Sequence, residues 1–358
     1  MLKLDGSYLE GGGQIVRTAL ALSVLTQKAF TINNIRANRP DKGLKNQHLH
    51  CIRAVRDLCN GVAENAQLGS SEIIFYPRPI LKGKEMVIDI QTAGSITLLL
   101  QSILLPCIFS GKKFLITVKG GTDVAWSPQI DYCTHVLFPH FLRYGKGSLT
   151  LQKRGYYPKG QGEVIVDIKK KIEYNEIRTG VAAVKPLFLV EKGTLVKIAG
   201  ISHASANLAT SRVAERQAHA ATVHLQKWKV PIEIVSSYTQ TASPGSGITV
   251  WAIFTGADQD VDFIDPVRVG ADLLGEERKS AEVVGEECAT KLNTTLTSGA
   301  PIDAHLADNI IPLLGIVGGE IAVEKMTDHT RTNIYVTEQF LDVTFMVDEQ
   351  LKLIKVKK

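Results

Sequence analysis

The hydrophobic residues near the N-terminus recur with two different spacings. Residues 1–4 and residues 30–32 are β-rich and predict two short strands. Between them a helical spacing of three and four begins at Gln14 and is carried by Ile15, Ala19, Leu22 and Leu25. A second helical pattern opens at Gln47 and His48, after a loop marked by proline and glycine. This order predicts a strand–helix–strand–helix unit.

The same order of patterns recurs along the chain. The second copy has a small-residue loop at 92–95, an apolar helix at 96–109, a strand at 112–116 and a helix at 128–141. The third copy has a helix through 307–317, a strand at 320–323, a loop that holds His329 and a helix at 332–340. These copies predict a large domain built from three βαβα-type units.

A longer interval separates the second copy from the third and indicates an insertion. Its predicted elements are an alanine-rich helix at 206–228 and strands at 232–236 and 248–254. The predicted fold class is α/β (α+β), with a large domain at 1–176 and 263–358 and an inserted small α/β domain at 177–262. A helix at 280–292 is expected to return to the large domain, and residues 352–358 are expected to form an edge strand.

Composition and charge limit the protein class, the partners and the cellular location to be expected. Of its 358 residues, 44% are hydrophobic and 22% are charged, which is ordinary for a globular chain. The net charge of +5 is compatible with a polyanionic partner but does not require one. The five scattered cysteines argue against a zinc site or a disulfide framework and favour a cytoplasmic location. The sequence shows neither a signal pattern nor an apolar run long enough for a bilayer, so we expect no membrane partner.

The candidate chemistry centres on His329, in the stretch 328–333. Arginine, threonine and asparagine donors beside an imidazole suit a phosphate, and a neutral imidazole can attack phosphorus. Other polar residues lie at the loop-to-helix junctions of the copies, where free helix amides favour anions. These residues are Glu10, Gln14, Arg17, Arg36, Arg39, Gln47, His48, Gln101, Asp308 and Arg331.

Each of these residues also has a simpler interpretation as a helix cap or a solvated surface group. Their matched positions in a threefold repeat favour a shared site. The glycine run Gly11–Gly13 matches neither a Walker loop nor a Rossmann turn, because no Gly-Lys-Ser/Thr follows it and its spacing differs. A bound nucleotide would therefore be held in another way.

Several motifs together resemble those of the RNA 3′-terminal phosphate cyclases over nearly the whole chain. The motifs lie at residues 10–17, 35–37, 43–49, 120–123, 155–158, 243–245, 305–309 and 329–333. The resemblance implies three βαβα-type repeats with an inserted small α/β domain. It also implies an ATP-dependent enzyme that converts the 3′-terminal phosphate of RNA to a 2′,3′-cyclic phosphodiester. The implied intermediates are a covalent histidine–AMP adduct and an RNA–adenylate anhydride.

The resemblance also assigns roles to single residues. His329 would be the adenylated nucleophile, and Arg36 and His48 would be further catalytic residues. Glu10 would hold a divalent metal ion, Mg or Mn. Phosphate contacts would come from Arg17, Arg39 and Gln47, and adenosine contacts from Gln101, Pro128, His305, Leu306, Ala307, Asp308 and Asn309. Some relatives have tyrosine and glutamine where this chain has His305 and Asn309, but an imidazole can still stack on adenine.

Three other functions are compatible with parts of the sequence. A non-catalytic relative that serves in ribosome biogenesis would lack the histidine nucleophile, whereas His329, Glu10 and His48 are all present. An enolpyruvyl transferase is built from two comparable lobes of such repeats, and this chain has one set. A plain RNA-binding module is disfavoured by an aromatic content of only 6%. The sequence specifies neither the natural RNA nor the oligomeric state, and a homo-oligomer is compatible with it.

Overall fold

The computed structural model describes residues 1–255 and 267–357. Its described strands form four sheets of four strands each, and three of these sheets share one strand order, which follows from a β-α-β-α-β-β segment. In each of these sheets the first two strands are parallel, and the last strand lies antiparallel between the second and the third. The three predicted copies are therefore confirmed, and each copy ends with two strands that lie beyond its predicted βαβα unit.

The first two repeats follow one another directly. The first consists of β1 (Leu2–Asp5), α1 (Gln14–Thr26), β2 (Phe30–Asn33), α2 (Asn46–Cys59), β3 (Val62–Glu64) and β4 (Ile73–Tyr76). The second consists of β5 (Lys84–Asp89), α3 (Ile96–Phe109), β6 (Phe114–Gly120), α4 (Ile130–Tyr132), α5 (Phe138–Leu142), β7 (Lys146–Lys153) and β8 (Gly162–Lys169). A π-helical turn at Cys133–Leu137 joins α4 to α5.

The third repeat is interrupted by the insertion. The short helix α6 (Tyr174–Arg178) leads to β9 (Leu187–Leu189), after which the chain leaves the repeat. The inserted elements are β10 (Leu195–Ser205), α7 (Val213–Leu225), β11 (Ile232–Thr239), β12 (Ser246–Phe254), β13 (Val267–Leu274) and α8 (Ala281–Ser298). Their strands form a separate sheet in the order β11-β10-β12-β13, and α7 and α8 pack together on it.

The chain then completes the third repeat. Its remaining elements are α9 (Ala304–Val317), β14 (Gly319–Ala322), α10 (Asp328–Phe340), β15 (Thr344–Asp348) and β16 (Leu353–Lys357). Because β9 pairs in parallel with β14, the insertion interrupts the crossover from the first strand of the repeat to its first helix. Sequence periodicity missed β9, which is only three residues long and far from its partner in sequence.

The structure corrects several predicted segments. The helix expected to return to the large domain packs instead on α7, β12 and β13 as α8. The strand β16 lies between β14 and β15 and is not an edge strand. The helix α7 begins at Val213, because Arg212 has a left-handed backbone with φ of +50°. His329 lies in the first turn of α10, because that helix begins four residues earlier than predicted.

The predicted division into domains stays a prediction, and its second boundary, between residues 262 and 263, lies outside the described residues. The first boundary, between residues 176 and 177, precedes β9, whose pairing with β14 belongs to the third repeat. We therefore propose that the inserted domain runs from β10 through α8.

The first helix of each repeat lies in the interior. The helices α1, α3 and α9 bury most of their residues, and α1 packs against α2, α3 and α10. The sequence of α3 is apolar on nearly all sides, as expected for a helix surrounded by protein. No helix in residues 1–255 and 267–357 combines the length and hydrophobicity needed to span a bilayer.

Gly319 offers a test of the join between β9 and β14. Its φ is +122°, and an added Cβ would lie 2.1 Å from the carbonyl oxygen of Leu187. Gly299 has a φ of +81°, but an added Cβ there would meet no atom within 4 Å. We expect Gly319→Ala to lower the free energy of unfolding by about 2 kcal/mol more than Gly299→Ala, because only the former adds a backbone clash. Urea unfolding measures both, and equal losses would contradict the β9–β14 pairing.

Candidate active site

Side-chain hydrogen bonds join the first helices of all three repeats. On α1, Arg17 Nε donates to Oε1 of Gln101 on α3 at 2.7 Å. Gln101 Nε2 in turn donates to Oδ1 of Asn309 on α9 at 2.8 Å. Gln14 Nε2 donates to the carbonyl oxygen of His329 on α10 at 2.7 Å. These hydrogen bonds bring together residues that are up to 315 positions apart in sequence.

A cleft of about 510 Å³ opens where α9 and α10 begin. It is lined by Glu10, Ala304, His305, Asp308, Lys325, Met326, Thr327, Asp328 and His329. The lining thus includes the predicted nucleophile, the predicted metal ligand and two predicted adenosine contacts. Free backbone amides and helix dipoles at the two helix starts favour an anion in this cleft.

His329 is accessible in the cleft and is held by its backbone. Its side chain is 43% exposed, and Nε2 lies 3.5 Å from Oε2 of Glu10. The hydrogen bond from Gln14 fixes the carbonyl group of the same residue. A positioned, accessible imidazole at a helix start is suited to nucleophilic attack on phosphorus.

Asp308 supports the helix start that carries the histidine. Thr327 caps α10, and its hydroxyl accepts a hydrogen bond from the Thr330 amide at 2.9 Å. Oδ1 of Asp308 accepts hydrogen bonds from the hydroxyls of both threonines, at 2.7 Å from Thr330. Burial raises the pKa of Asp308, against the opposing effect of these hydroxyl donors. The position of His329 therefore depends on a carboxyl group from α9.

The triple-glycine loop brings its backbone close to His329. Arg39 Nη2 donates to Oε2 of Glu10 at 2.5 Å. A Cβ added to Gly12 would lie 3.7 Å from Arg39 Nη2 and 3.8 Å from His329 Cε1. The absence of a side chain therefore leaves space between a guanidinium and an imidazole, as a backbone that cradles a ligand requires.

Two further arginines supply positive charge. Arg36 has a φ of +56°, and its Nε donates to the carbonyl oxygen of Asp41 at 3.2 Å. Burial lowers the pKa of both Arg17 and Arg36. Neither makes an ion pair with a carboxylate within the described ranges. A desolvated guanidinium without an acidic partner is stabilised by an anionic ligand.

His48 is buried against the glycine loop as a neutral ring. Its Nδ1 accepts a hydrogen bond from the Lys45 amide at 2.9 Å, so the ring proton resides on Nε2. A Cβ added to Gly13 would lie 1.9 Å from that nitrogen. Burial and the charges of Arg17 and Arg36 lower the pKa of His48 to about 3. The ring therefore presents a neutral N–H donor to the loop.

The structure places other predicted residues in supporting positions. Both groups of the Gln47 amide bind the backbone of Ser95, with Oε1 accepting at 2.7 Å and Nε2 donating at 3.0 Å. The Pro128 carbonyl accepts a hydrogen bond from Thr97 at 2.8 Å and is outside the cleft lining. Leu306 and Ala307 have fully buried side chains and could contact a ligand only through their backbone. The predicted ligand contacts of these four residues stay predictions.

One buried group has metal-ligand character. Within the described part of the chain, Asp123, Asp131 and His203 place ligand atoms within 4.8 Å of one another. Arg154 lies at 3.0 Å from Asp123 and 2.6 Å from Asp131, so a guanidinium already bridges the two carboxylates and occupies the position of a cation. The Glu10 carboxylate in the cleft differs. Its Oε2 contacts Arg39 and His329, whereas its Oε1 has no partner among the described residues and is open to a cation.

Sequence reasoning missed Lys325, Met326 and Thr327, which line the cleft just before the histidine motif. A local signal for Thr327 was available, because a threonine placed three residues before Thr330 fits a helix cap. No comparable pattern marks Lys325 or Met326.

Comparison with known proteins decides the family. A family model described as RNA 3′-terminal phosphate cyclase matches residues 8–347. The chain belongs to this family. The family resemblance of the sequence motifs is thereby confirmed.

Individual relatives match over nearly their whole length. A Pyrococcus furiosus protein named RNA 3′-terminal phosphate cyclase is 44% identical over 348 residues, which cover 97% of this chain and 95% of the relative. A protein of the same name from Methanosarcina barkeri is 44% identical and covers 99% of both chains. One from Thermococcus onnurineus is 43% identical over 98% of this chain and 96% of its own.

His48 generates a testable pH dependence of stability. Its pKa is 6.5 when unperturbed and about 3 in the folded chain. Between these values the unfolded chain binds a proton that the folded chain does not, so stability falls as pH falls. Lowering the pH from 7 to 5 should therefore reduce the free energy of unfolding by about 2 kcal/mol through His48. His48→Gln should remove that cost, measured by urea unfolding at both pH values.

The matched control is His219→Gln, which replaces an exposed histidine on α7. If His48→Gln kept the full pH dependence of the unaltered protein, His48 would not be the neutral buried group described above.

Proposed function

We propose that this protein converts the 3′-terminal phosphate of RNA to a 2′,3′-cyclic phosphodiester at the expense of ATP. The observation that supports this most is the position of His329, an accessible imidazole at a helix start beside Glu10 and Arg39. The family and the names of the relatives point to the same reaction.

In the proposed first step, Nε2 of His329 attacks the α-phosphorus of ATP. A phosphorus–nitrogen bond forms, the bond to the bridging β-phosphate oxygen breaks, and pyrophosphate leaves. Arg39 and the backbone amides at Gly12 are placed to stabilise the charge that develops on the phosphate oxygens. The product is a histidine–AMP phosphoramidate.

Two further displacements complete the proposed reaction. An oxygen of the RNA 3′-phosphate attacks the phosphorus of the adduct, which gives an RNA–adenylate anhydride and frees His329. The adjacent 2′-hydroxyl then attacks the RNA phosphorus, loses its proton and expels AMP. Arg17 and Arg36 lack carboxylate partners in the described chain and would bind the RNA phosphate, while His48 would donate its Nε2 proton in a hydrogen bond.

A divalent cation, Mg or Mn, would be held by Oε1 of Glu10 together with the triphosphate. Such a cation shields the negative charge of the triphosphate oxygens. The Arg39–Glu10 bond fixes the orientation of the carboxylate that would hold it.

The adenosine would lie on the other side of the cleft. His305 is exposed at the start of α9, and its ring meets Tyr132 edge-on, with 6.1 Å between ring centroids. Its other surface is available to stack on a base. Gln101 and Asn309 bind each other and Arg17, so their main effect would be to position Arg17.

We further propose a cytoplasmic location, in keeping with the free and buried state of the five cysteines. Association into a homo-oligomer stays a prediction from the sequence.

The nucleophile is tested by labelling with ATP that carries radioactive α-phosphate. We expect His329→Ala to abolish the acid-labile AMP adduct and His305→Ala to weaken its formation about tenfold, because only the former removes the attacking nitrogen. Labelled protein is counted after acid-free precipitation. An adduct of normal yield on the His329→Ala protein would refute the assignment.

The cradle at Gly12 is tested by adding one methyl group. Gly12→Ala introduces no clash closer than 3.7 Å, so the free energy of unfolding should change by less than about 0.5 kcal/mol. The methyl group would nevertheless occupy the space proposed for the α-phosphate, and we expect adduct formation to slow about a hundredfold. Stopped-time labelling measures that rate. A normal rate would show that no phosphate passes between Arg39 and His329.

A further inference from the structure

Three motifs with no assigned role meet at one place in the structure. The loop after β6 binds the β7–β8 loop, since the Thr122 amide donates to the Gly155 carbonyl at 2.9 Å. The β7–β8 loop in turn binds the inserted domain, since the Lys159 amide donates to Ser243 Oγ at 3.1 Å. A Cβ added to Gly245 would lie 2.3 Å from the Tyr156 ring. The three loops are therefore interlocked.

A network of buried polar side chains holds these three loops in place. Arg154 bridges Asp123 and Asp131, with distances of 3.0 and 2.6 Å. His203, on β10 of the inserted domain, lies 2.7 Å from the Tyr156 hydroxyl through Nδ1 and 2.7 Å from a side-chain oxygen of Gln129 through Nε2. Breaking a buried pair of this kind is costly, so the loops form a rigid base.

Two large aromatic side chains project from this base into solvent. Trp126 exposes 97% of its surface and has a φ of +66°, a conformation that is unfavourable for tryptophan. Tyr157, in the neighbouring loop, exposes 74%. A rigid loop that holds a strained tryptophan in water forgoes the burial of a large apolar surface. Such an arrangement is expected where the ring meets a ligand.

The repeat topology places these aromatics on the same side as the active site. The loop after the second strand carries Arg36 and Arg39 in the first repeat and leads to His329 in the third. Trp126 lies in the matching loop of the second repeat. The end of β6 also adjoins the start of β8, through the Gly120–Gly162 pair, so the Tyr157 loop lies at the same end of the sheet.

The surrounding charge favours a nucleic acid. Lys153 and Lys159 are exposed and flank Tyr157 in sequence. Neither has a carboxylate partner in the part of the chain that the structure describes. Exposed aromatic rings beside unpaired cations are what proteins use to hold single-stranded RNA, through base stacking and phosphate contacts.

We propose that Trp126, Tyr157, Lys153 and Lys159 form a platform for the RNA body, on the 5′ side of the reacting terminal nucleotide. The platform rests on the proposed function, because its ligand is the RNA whose 3′ end enters the cleft. Trp126 and Tyr157 stack on bases, and the two lysines contact phosphates. The inserted domain contributes by locking the loops through His203 and Ser243.

The test measures RNA binding without ATP, so that it does not depend on catalysis. The probes are fluorescein-labelled RNAs with a 3′-phosphate, one of ten nucleotides and one of two, followed by fluorescence anisotropy. We expect Trp126→Ala and Tyr157→Ala each to weaken binding of the longer RNA by about tenfold and to leave the shorter RNA unaffected. Trp126→Phe should restore most of the loss, because it keeps a stacking ring.

Phe188→Ala is the matched control, because it removes an exposed aromatic ring, 60% exposed, from β9. It should leave the binding of both RNAs unchanged. The double variant Lys153→Gln/Lys159→Gln should reduce the dependence of RNA binding on salt. Its control is Lys82→Gln, which removes an exposed lysine outside the proposed platform and should leave that dependence nearly unchanged.

Three outcomes would overturn the platform. They are equal loss with both RNAs, no loss with either, and an altered sedimentation coefficient in place of altered RNA binding, which would indicate contact between copies of the chain. Formation of the AMP adduct by the unaltered protein is scored in parallel. Failure of the proposed function appears in that adduct assay, whereas failure of the platform appears in the RNA-binding assay.

Discussion

The hydrogen bonds between helices of different repeats are the constraint on which the site depends. No single repeat contains the candidate active site. Arg17, Gln101 and Asn309 come from three different repeats and form one continuous chain. Gln14 holds the backbone of His329 from across the molecule. The charged groups around the cleft are therefore placed by packing between repeats, and each repeat contributes the end at which its helices begin.

The same arrangement explains why the buried charges persist. Arg17 is desolvated and makes no ion pair with a carboxylate of the described residues, Arg36 is partly desolvated, and the buried His48 is kept neutral beside them. Alone, these features would oppose folding. They become favourable once a polyanion enters, because its phosphates supply the missing charge. The site is thus preorganised for its ligand at some cost to the free chain.

The sequence predicts the local elements of this fold well and its long-range pairings poorly. Helical spacing located α1 and α3, because each has a long, regular apolar pattern. It missed β9, whose partner strand follows the whole insertion, and it expected α8 to return to the large domain, whereas α8 packs on α7, β12 and β13. Periodicity shows which residues are buried but not which distant element buries them.

For the candidate site, too, local motifs were predictable from the sequence and long-range contacts were not. Glu10, His305, Asp308 and His329 were expected from their motifs and do line one cleft. The hydrogen bonds from Gln47 to the backbone of Ser95 and the exposure of Trp126 could not be read from the sequence, because both depend on contacts between segments that are far apart in the chain. Low aromatic content argued against a plain RNA-binding module, yet two aromatic residues in the loops of the second repeat, Trp126 and Tyr157, are exposed to solvent.

The most direct measurement of the central claim is a crystal structure with an ATP analogue whose α,β-bridging oxygen is replaced by methylene. We expect the α-phosphorus to lie within about 3.5 Å of His329 Nε2, in line with the bridging carbon. An α-phosphorus bound far from that ring, with Nε2 still directed only at Glu10, would contradict it.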